Sequence, residues 1–244
     1  MSVDEHLGIQ TRQYDQQILT FIPFYEEILD QAAAALDGLE RPARVLVDLG
    51  IGTGALAACC AAPLRGAAVV GIDSDPQMLA MAAERLGRRL RPVVANFETA
   101  PIARCDVVTA AFSLHHIAAP AAKRKVFTKA FRALRPGGLC VIADCMTAST
   151  PRLQARDMAG WRDHLAARHG RAGATKVPQS MSGRGHLRLR GNRRVEAACR
   201  IPAPRCGRRP AVTRANRRRV DFRGWPSFGV GAAPRGWAGH SREF

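Results

Sequence analysis

The sequence predicts an α/β protein built on a doubly wound, mostly parallel sheet. Three observations carry that prediction. Short apolar runs of strand length alternate with helix-patterned segments from Arg44 to about residue 145. A glycine-rich turn directly follows the first run, and a proline-initiated helix follows the second. Such alternation sets strands parallel, joins them by right-handed crossovers and gathers ligands at their carboxyl ends. At 244 residues the chain is long enough for one such domain with a substantial core.

Each element has its own signal. Ile18, Leu19, Ile22, Tyr25, Ile28, Leu29 and Leu36 recur at helical spacing over residues 12–37, with a break at Pro23. VLVDL (45–49) is the first strand, and an Ala-rich helix from Thr53 to about Ala62 stops before Pro63. AVVGID (68–73) is the second strand. Asp75 then caps a helix that has Pro76 at its first position and Gly87 as its stop. Pro92–Ala95 is the third strand and CDVVTAAF (105–112) the fourth. A helix from about Pro120 to Leu134 ends at Arg-Pro-Gly-Gly, a turn signal. LCVIAD (139–144) is the fifth strand, Leu153–Arg168 reads as a further helix, and the strand order expected is 3-2-1-4-5.

Composition narrows the function classes. No run of about 18 apolar residues is present, so a membrane span is not expected. The polar N-terminus is unlike a secretory signal, and a cytoplasmic location is inferred. Seven cysteines without a CxxC pair point to buried, reduced thiols and to no metal site. The net charge of +17 is unevenly placed. Residues 1–177 hold 21 Lys and Arg against 17 Asp and Glu, whereas residues 178–244 hold 16 Arg against Glu196, Asp221 and Glu243. The basicity belongs to the tail, so the charge of the rest says little about partners.

The centre of the functional argument is Val47-Asp48-Leu49-Gly50-Ile51-Gly52-Thr53-Gly54, directly after a strand and opening a helix. Glycines let the backbone turn tightly and approach a ligand. Gly50, Gly52 and Ala55, with Asp73 about 20 residues on, also satisfy the relaxed dinucleotide pattern. A nicotinamide-dependent enzyme is therefore a local alternative. Asp48 argues against it, because a carboxylate there opposes a pyrophosphate, while a cofactor carrying a sulfonium and an ammonium tolerates or uses it.

Over residues 12–170 the sequence resembles class I S-adenosylmethionine (SAM)-dependent methyltransferases, which have a Rossmann-like sheet. VLVDLGIGTG resembles that family's first motif, GIDSDPQML its second, CDVVTAAFSLHHI its fourth-strand motif and LRPGGLCVIAD the turn and strand that follow. The resemblance implies SAM as cofactor. It implies a binding set of Asp48, Gly50, Gly52, Gly54, Asp73, Ser74, Met78, Asn96, Phe97 and Ser113. Asp73 would accept both ribose hydroxyls and Met78 would pack near the adenine. Asn96 stands where many members have an Asp for the adenine amino group; Phe97 would stack on the ring or belong to the core. Methyl transfer needs alignment and a dry site, and a base only where the acceptor must lose a proton. His115 and His116 are thus candidates for catalysis, against a structural alternative in which one packs beneath the cofactor and the other meets solvent.

Tyr14-Asp15 and Phe21-Ile-Pro-Phe-Tyr25-Glu resemble the segment before the first motif in several branches, among them enzymes that form carboxy-SAM for tRNA modification. There it lids the cofactor, which makes Tyr14 and Tyr25 lid or substrate candidates. The family pattern has Gly where Phe24 stands. The domains expected are a helical lid over 1–40, a SAM-binding domain over 41–177 and an Arg/Gly/Pro-rich tail over 178–244.

The tail lacks a sustained period of 2 or 3.6, and the antiparallel strands that complete the family's sheet are expected to be missing or disordered, exposing the fifth strand. Moving the codons of Gly185-His-Leu-Arg on by one nucleotide permits Asp-Thr-Tyr-Val, and Val195–Ile201 then permits Leu-Lys-Leu-Leu-Ala-Gly-Phe. This is compatible with a frameshift near residue 177. The competing view is an arginine-rich arm that binds nucleic acid nonspecifically, with Trp225, Phe228 and Trp237 available to stack on bases. The function expected is methyl transfer from SAM to a small-molecule acceptor. Alternatives are a carboxy-SAM-forming or tRNA-modifying relative, and a basic nucleic-acid-binding protein. Neither the acceptor nor the oligomeric state is legible.

Overall fold

The computed structural model describes residues 13–39, 41–145 and 150–174, with backbone only for 172–174, and the backbone of a strand at 228–234. The frameshift and nucleic-acid readings of the tail, including Trp225 and Trp237, otherwise lie outside the described residues. So does the part of the lid segment before residue 13.

Two short helices come first, α1 (Tyr14–Phe21) and α2 (Tyr25–Ala34), separated at Ile22–Phe24 as Pro23 predicts, with a 3-10 turn at Ala35–Gly38. Then follow β1 (Val45–Leu49), α3 (Ala55–Ala61), β2 (Ala68–Asp73) and α4 (Pro76–Leu86). The α4 cap is as read: the Asp75 carboxylate accepts the Gln77 N–H, Pro76 occupies the first turn, and Gly87 ends the helix. Next are β3 (Leu90–Val94), β4 (Cys105–Ala111), α5 (Pro120–Ala133), β5 (Leu134–Cys145), α6 (Pro151–Ala174) and β6 (Phe228–Pro234).

The sheet order is β3-β2-β1-β4-β5-β6. The first five strands are parallel, in the order expected. Alternate residues of each strand feed opposite faces. Leu46, Val69, Val107 and Val141 join a core with Ile28 of α2, Leu56 of α3, Leu79 of α4 and Leu165 of α6. Val47, Leu49, Val108 and Cys140 join Val126 and Ala130 of α5 on the other. Both faces are covered, so the parallel strands carry nearly continuous apolar runs.

Two expectations are corrected. The fifth strand is not left as a bare edge: β6 pairs with it antiparallel, from Cys145↔Phe228 to Leu139↔Pro234. The sequence FGVGAAP carries no charge within an arginine-rich stretch. Antiparallel pairing uses backbone groups and needs no side-chain period, which is why pattern reading passed over it. Second, the Arg-Pro-Gly-Gly stretch, expected as a turn between the helix and the fifth strand, lies inside β5. The register slips between Cys105↔Leu134 and Val107↔Leu139, and a Cβ on Gly138 would stand 2.6 Å from the Asp106 carbonyl oxygen. These glycines serve an irregular strand start that lets β5 approach β4 closely.

Candidate cofactor and acceptor site

The carboxyl ends of β1, β2, β4 and β5 converge at one edge of the sheet, and the loop after β1 lies at its centre. Gly50 and Ile51 donate their N–H groups to the Ile72 carbonyl at 2.8 and 3.1 Å, folding the loop over β2. Gly50 has φ +70, and a Cβ there would stand 2.5 Å from the Cβ of Ser113. Gly52 has φ +55 with nothing within 4 Å of its would-be Cβ, so the loop presents bare backbone to open space. That surface admits a ligand against the main chain.

Asp73 ends β2 beside this loop. Its Oδ2 accepts the Gly52 N–H at 2.8 Å and its Oδ1 accepts the Asp75 N–H at 3.0 Å. A carboxylate has about four acceptor positions, so both oxygens retain capacity for a paired donor such as two vicinal hydroxyls. Burial holds the Asp73 carboxyl above the usual range, against the pull of the two backbone donors.

Asp48 lies beneath the loop, fully enclosed. Burial, reinforced by the nearby Asp73 charge, pushes its carboxyl up to about 7. Its register partner on β4 is Thr109, and Asp48 Oδ1 has no hydrogen-bond partner. A buried carboxyl oxygen without a hydrogen-bond partner under a ligand loop is expensive. It complements a cationic ligand and opposes a pyrophosphate, so the residues present fit SAM better than a dinucleotide.

The other sequence candidates divide into three groups. Ser113 and Phe97 reach the loop: the Ser113 hydroxyl donates to the Leu49 carbonyl at 2.7 Å, and Phe97 Cε1 lies 3.4 Å from the would-be Gly50 Cβ. Asn96 Oδ1 accepts the Glu98 N–H at 2.8 Å, which makes it an Asx-turn residue with one acceptor position left for an adenine amino group. Met78 is buried in the first turns of α4, and Ser74 is exposed beyond Asp73. Gly54, at φ +78, takes the αL position that starts α3, and a Cβ there would press on Ala82 at 3.2 Å.

Tyr14 and Tyr25 come from α1 and α2. Burial, with Asp15, Asp73 and Cys145 adding, pushes the Tyr14 phenol up to about 12. Burial also raises Tyr25, whose ring stacks on Phe112 with centroids 5.6 Å apart. The segment is pinned from both sides. Thr53 of the glycine loop donates its hydroxyl to Asp15 at 2.6 Å, and Arg85 of α4 binds both Asp15 and Thr53. From α6, the Trp161 indole N–H donates to the Phe21 carbonyl at 2.7 Å.

Sequence reasoning missed Asp144. Its Oδ2 accepts the His115 N–H at 3.0 Å, its Oδ1 accepts the Cys145 N–H at 2.7 Å, and the same Oδ1 lies 2.7 Å from His115 Nδ1. The only available signal was an acid at the carboxyl end of an apolar strand. His115 is half-buried, while His116 is exposed with its ring centroid 4.0 Å from that of His115. Lys123, buried on α5, approaches Asp144, and burial lowers its pKa. The ligand atoms of His115, Asp144 and Cys145 lie within 4.8 Å of one another, and His115 and Asp144 are joined by two hydrogen-bonding contacts.

Comparison with known proteins agrees with this geometry. Residues 46–138 match the family described as a methyltransferase domain. The chain is 30% identical over 133 residues to an uncharacterized methyltransferase of Geobacillus thermodenitrificans, covering 54% of this chain and 58% of that protein. It is 35% identical over 111 residues to demethylmenaquinone methyltransferase of Thermus thermophilus, covering 43% and 49%. The chain thus spans about half the length of these curated relatives. Among solved structures, plantazolicin methyltransferase BpumL in complex with SAH shares the fold, with a TM-score of 0.51, 12% identity and coverage of 70% of this chain and 62% of that one. The motifs, the sheet and the matched segment agree: residues 46–138 are similar to the methyltransferase domain family and lie on a sheet of the order that the motifs predict.

Proposed function

We propose that this protein transfers the methyl group of SAM to a small-molecule acceptor held at the carboxyl ends of β4 and β5. The observation that carries the proposal is Asp73, held by the Gly52 N–H beside a backbone-lined space and backed by the buried Asp48 carboxyl, whose Oδ1 has no hydrogen-bond partner. SAM supplies an activated methyl on a sulfonium. In this proposal Asp73 takes the ribose hydroxyls, and the Gly50–Gly54 loop supports the methionyl part with Asp48 as its electrostatic counterpart. Phe97, Asn96 and Met78 border the adenine. Tyr14 and Tyr25, with the segment up to about residue 40, roof the site and keep water out, so that residues 41–177 act as the catalytic unit and the tail adds nothing to the chemistry.

Calorimetric titration of SAM into the full-length chain, with NADH in a parallel cell, tests the proposal. SAM binding without NADH binding is expected. Binding of NADH in preference to SAM would make the glycine loop a dinucleotide site and overturn it.

A further inference from the structure

The His115–Asp144 pair is arranged for proton transfer. The Asp144 carboxylate is buried and oriented by two backbone donors, His115 N–H and Cys145 N–H. A carboxylate is acceptor-only, so His115 Nδ1, 2.7 Å away, must be the donor. In the neutral ring that fixes the tautomer with its lone pair on Nε2. The pair bridges the carboxyl ends of β4 and β5, which run in register up to Ala111↔Ala143. Two residues before His115, Ser113 abuts Gly50 of the ligand loop, where a Cβ on Gly50 would stand 2.5 Å from the Ser113 Cβ. The ring therefore belongs to the rim of the same site, on the side away from Asp73.

Resting on the methyl-transfer reading above, we propose that His115 is the general base of the transfer, with Asp144 its positioning residue, and that the acceptor atom is a hydroxyl oxygen. As the oxygen lone pair forms its bond to the methyl carbon, the carbon–sulfur bond breaks with its electron pair passing to sulfur. The hydroxyl proton moves to His115 Nε2. The products are the methyl ether, S-adenosylhomocysteine and an imidazolium stabilised by Asp144, which returns its proton to solvent. The charged or titratable groups facing His115 are Asp144 and Cys145 from β5, His116 beside it and Lys123 from α5.

The test uses the full-length chain, SAM, and phenol, 4-nitrophenol and methyl glucoside as hydroxyl probes, with benzylamine as the amine counterpart. S-adenosylhomocysteine formation is the readout. His115→Gln is expected to lower turnover of phenol about 10²–10⁴-fold while SAM affinity, followed by calorimetry, stays within a few-fold. The loss should shrink for the more acidic 4-nitrophenol, a dependence that a merely structural role would not produce. Asp144→Asn should show the same dependence with a smaller loss, and it carries the test if the His115 variant does not fold. Wild-type protein that binds SAM yet methylates only the amine, or none of the hydroxyl probes, overturns the inference alone. So does a His115→Gln protein with unchanged turnover. Wild-type protein that binds no SAM overturns the methyl-transfer reading beneath it.

Discussion

Replacing Asp73 by Ala removes two kinds of interaction at once, and the geometry allows them to be separated. The carboxylate accepts N–H groups from Gly52 at 2.8 Å and Asp75 at 3.0 Å. Losing a half-buried acceptor of two backbone donors destabilises by about 1–3 kcal/mol, less where water reaches the freed N–H groups. In the cofactor reading the same carboxylate also accepts ribose hydroxyls, and hydrogen bonds to a charged group contribute about 1.5–3 kcal/mol. SAM binding should therefore weaken by roughly 10- to 150-fold. Asp73→Asn keeps one carbonyl acceptor but turns its NH2 toward one of the two N–H donors. Its stability loss should approach that of Ala. Calorimetry with SAM, alongside urea unfolding of all three proteins, gives both quantities. If Asp73→Ala folds and binds SAM with wild-type affinity, Asp73 is only a loop brace, and the assignment of the ribose to the end of β2 is wrong.

Three further predictions follow from single positions. Burial raises the Asp48 carboxyl to about 7 in the folded chain, against about 3.9 when unfolded. Over that interval the unfolded chain binds fewer protons, so stability should fall as pH rises from about 4 to about 7 and level off above it, by an amount on the order of a few kcal/mol. Asp48→Asn should remove this slope and exceed the wild type in urea melts at pH 8; a variant less stable there contradicts the assignment. Phe24 occupies the left-handed region, at φ 57, where the residue entering α2 meets a Cβ penalty of about 1–2 kcal/mol. Phe24→Gly and Phe24→Ala lose the same ring, so Gly should be the more stable by about 1 kcal/mol in thermal unfolding, and equal melting would show that the turn relaxes. His116, exposed beside His115, should tolerate Ala with SAM affinity within a few-fold. Complete loss in a folded protein would make it a cofactor contact.

What was legible in the sequence had a local cause. Gly50, Gly52 and Gly54 all stand at positive φ, and a backbone that must adopt such angles leaves its record in residue type. Gly87 ends α4 for the same reason, at φ 56, and Asp75-Pro76 marks its start because the Asp75 carboxylate accepts the Gln77 N–H. Even the mismatch at Phe24, where glycine was expected, coincides with a left-handed residue. What was not legible depends on partners far apart in the chain. Asp15, Thr53 and Arg85 meet across 38 and 70 positions, and nothing in their own neighbourhoods pairs them. Asp144 reads as the polar end of a buried strand until β4 and β5 lie side by side and bring it to His115, 29 positions earlier. The Arg-Pro-Gly-Gly stretch lies between these cases. Its glycines announced an unusual backbone, but a glycine required by a turn and one required by the close approach of another strand have the same sequence, and only the neighbouring strand decides between them. Local strain can be read residue by residue, whereas pairing between distant residues has to be supplied by the topology. In this protein the proposed cofactor cradle is of the first kind and the proposed base of the second, so the motifs name a cofactor while saying nothing of an acceptor.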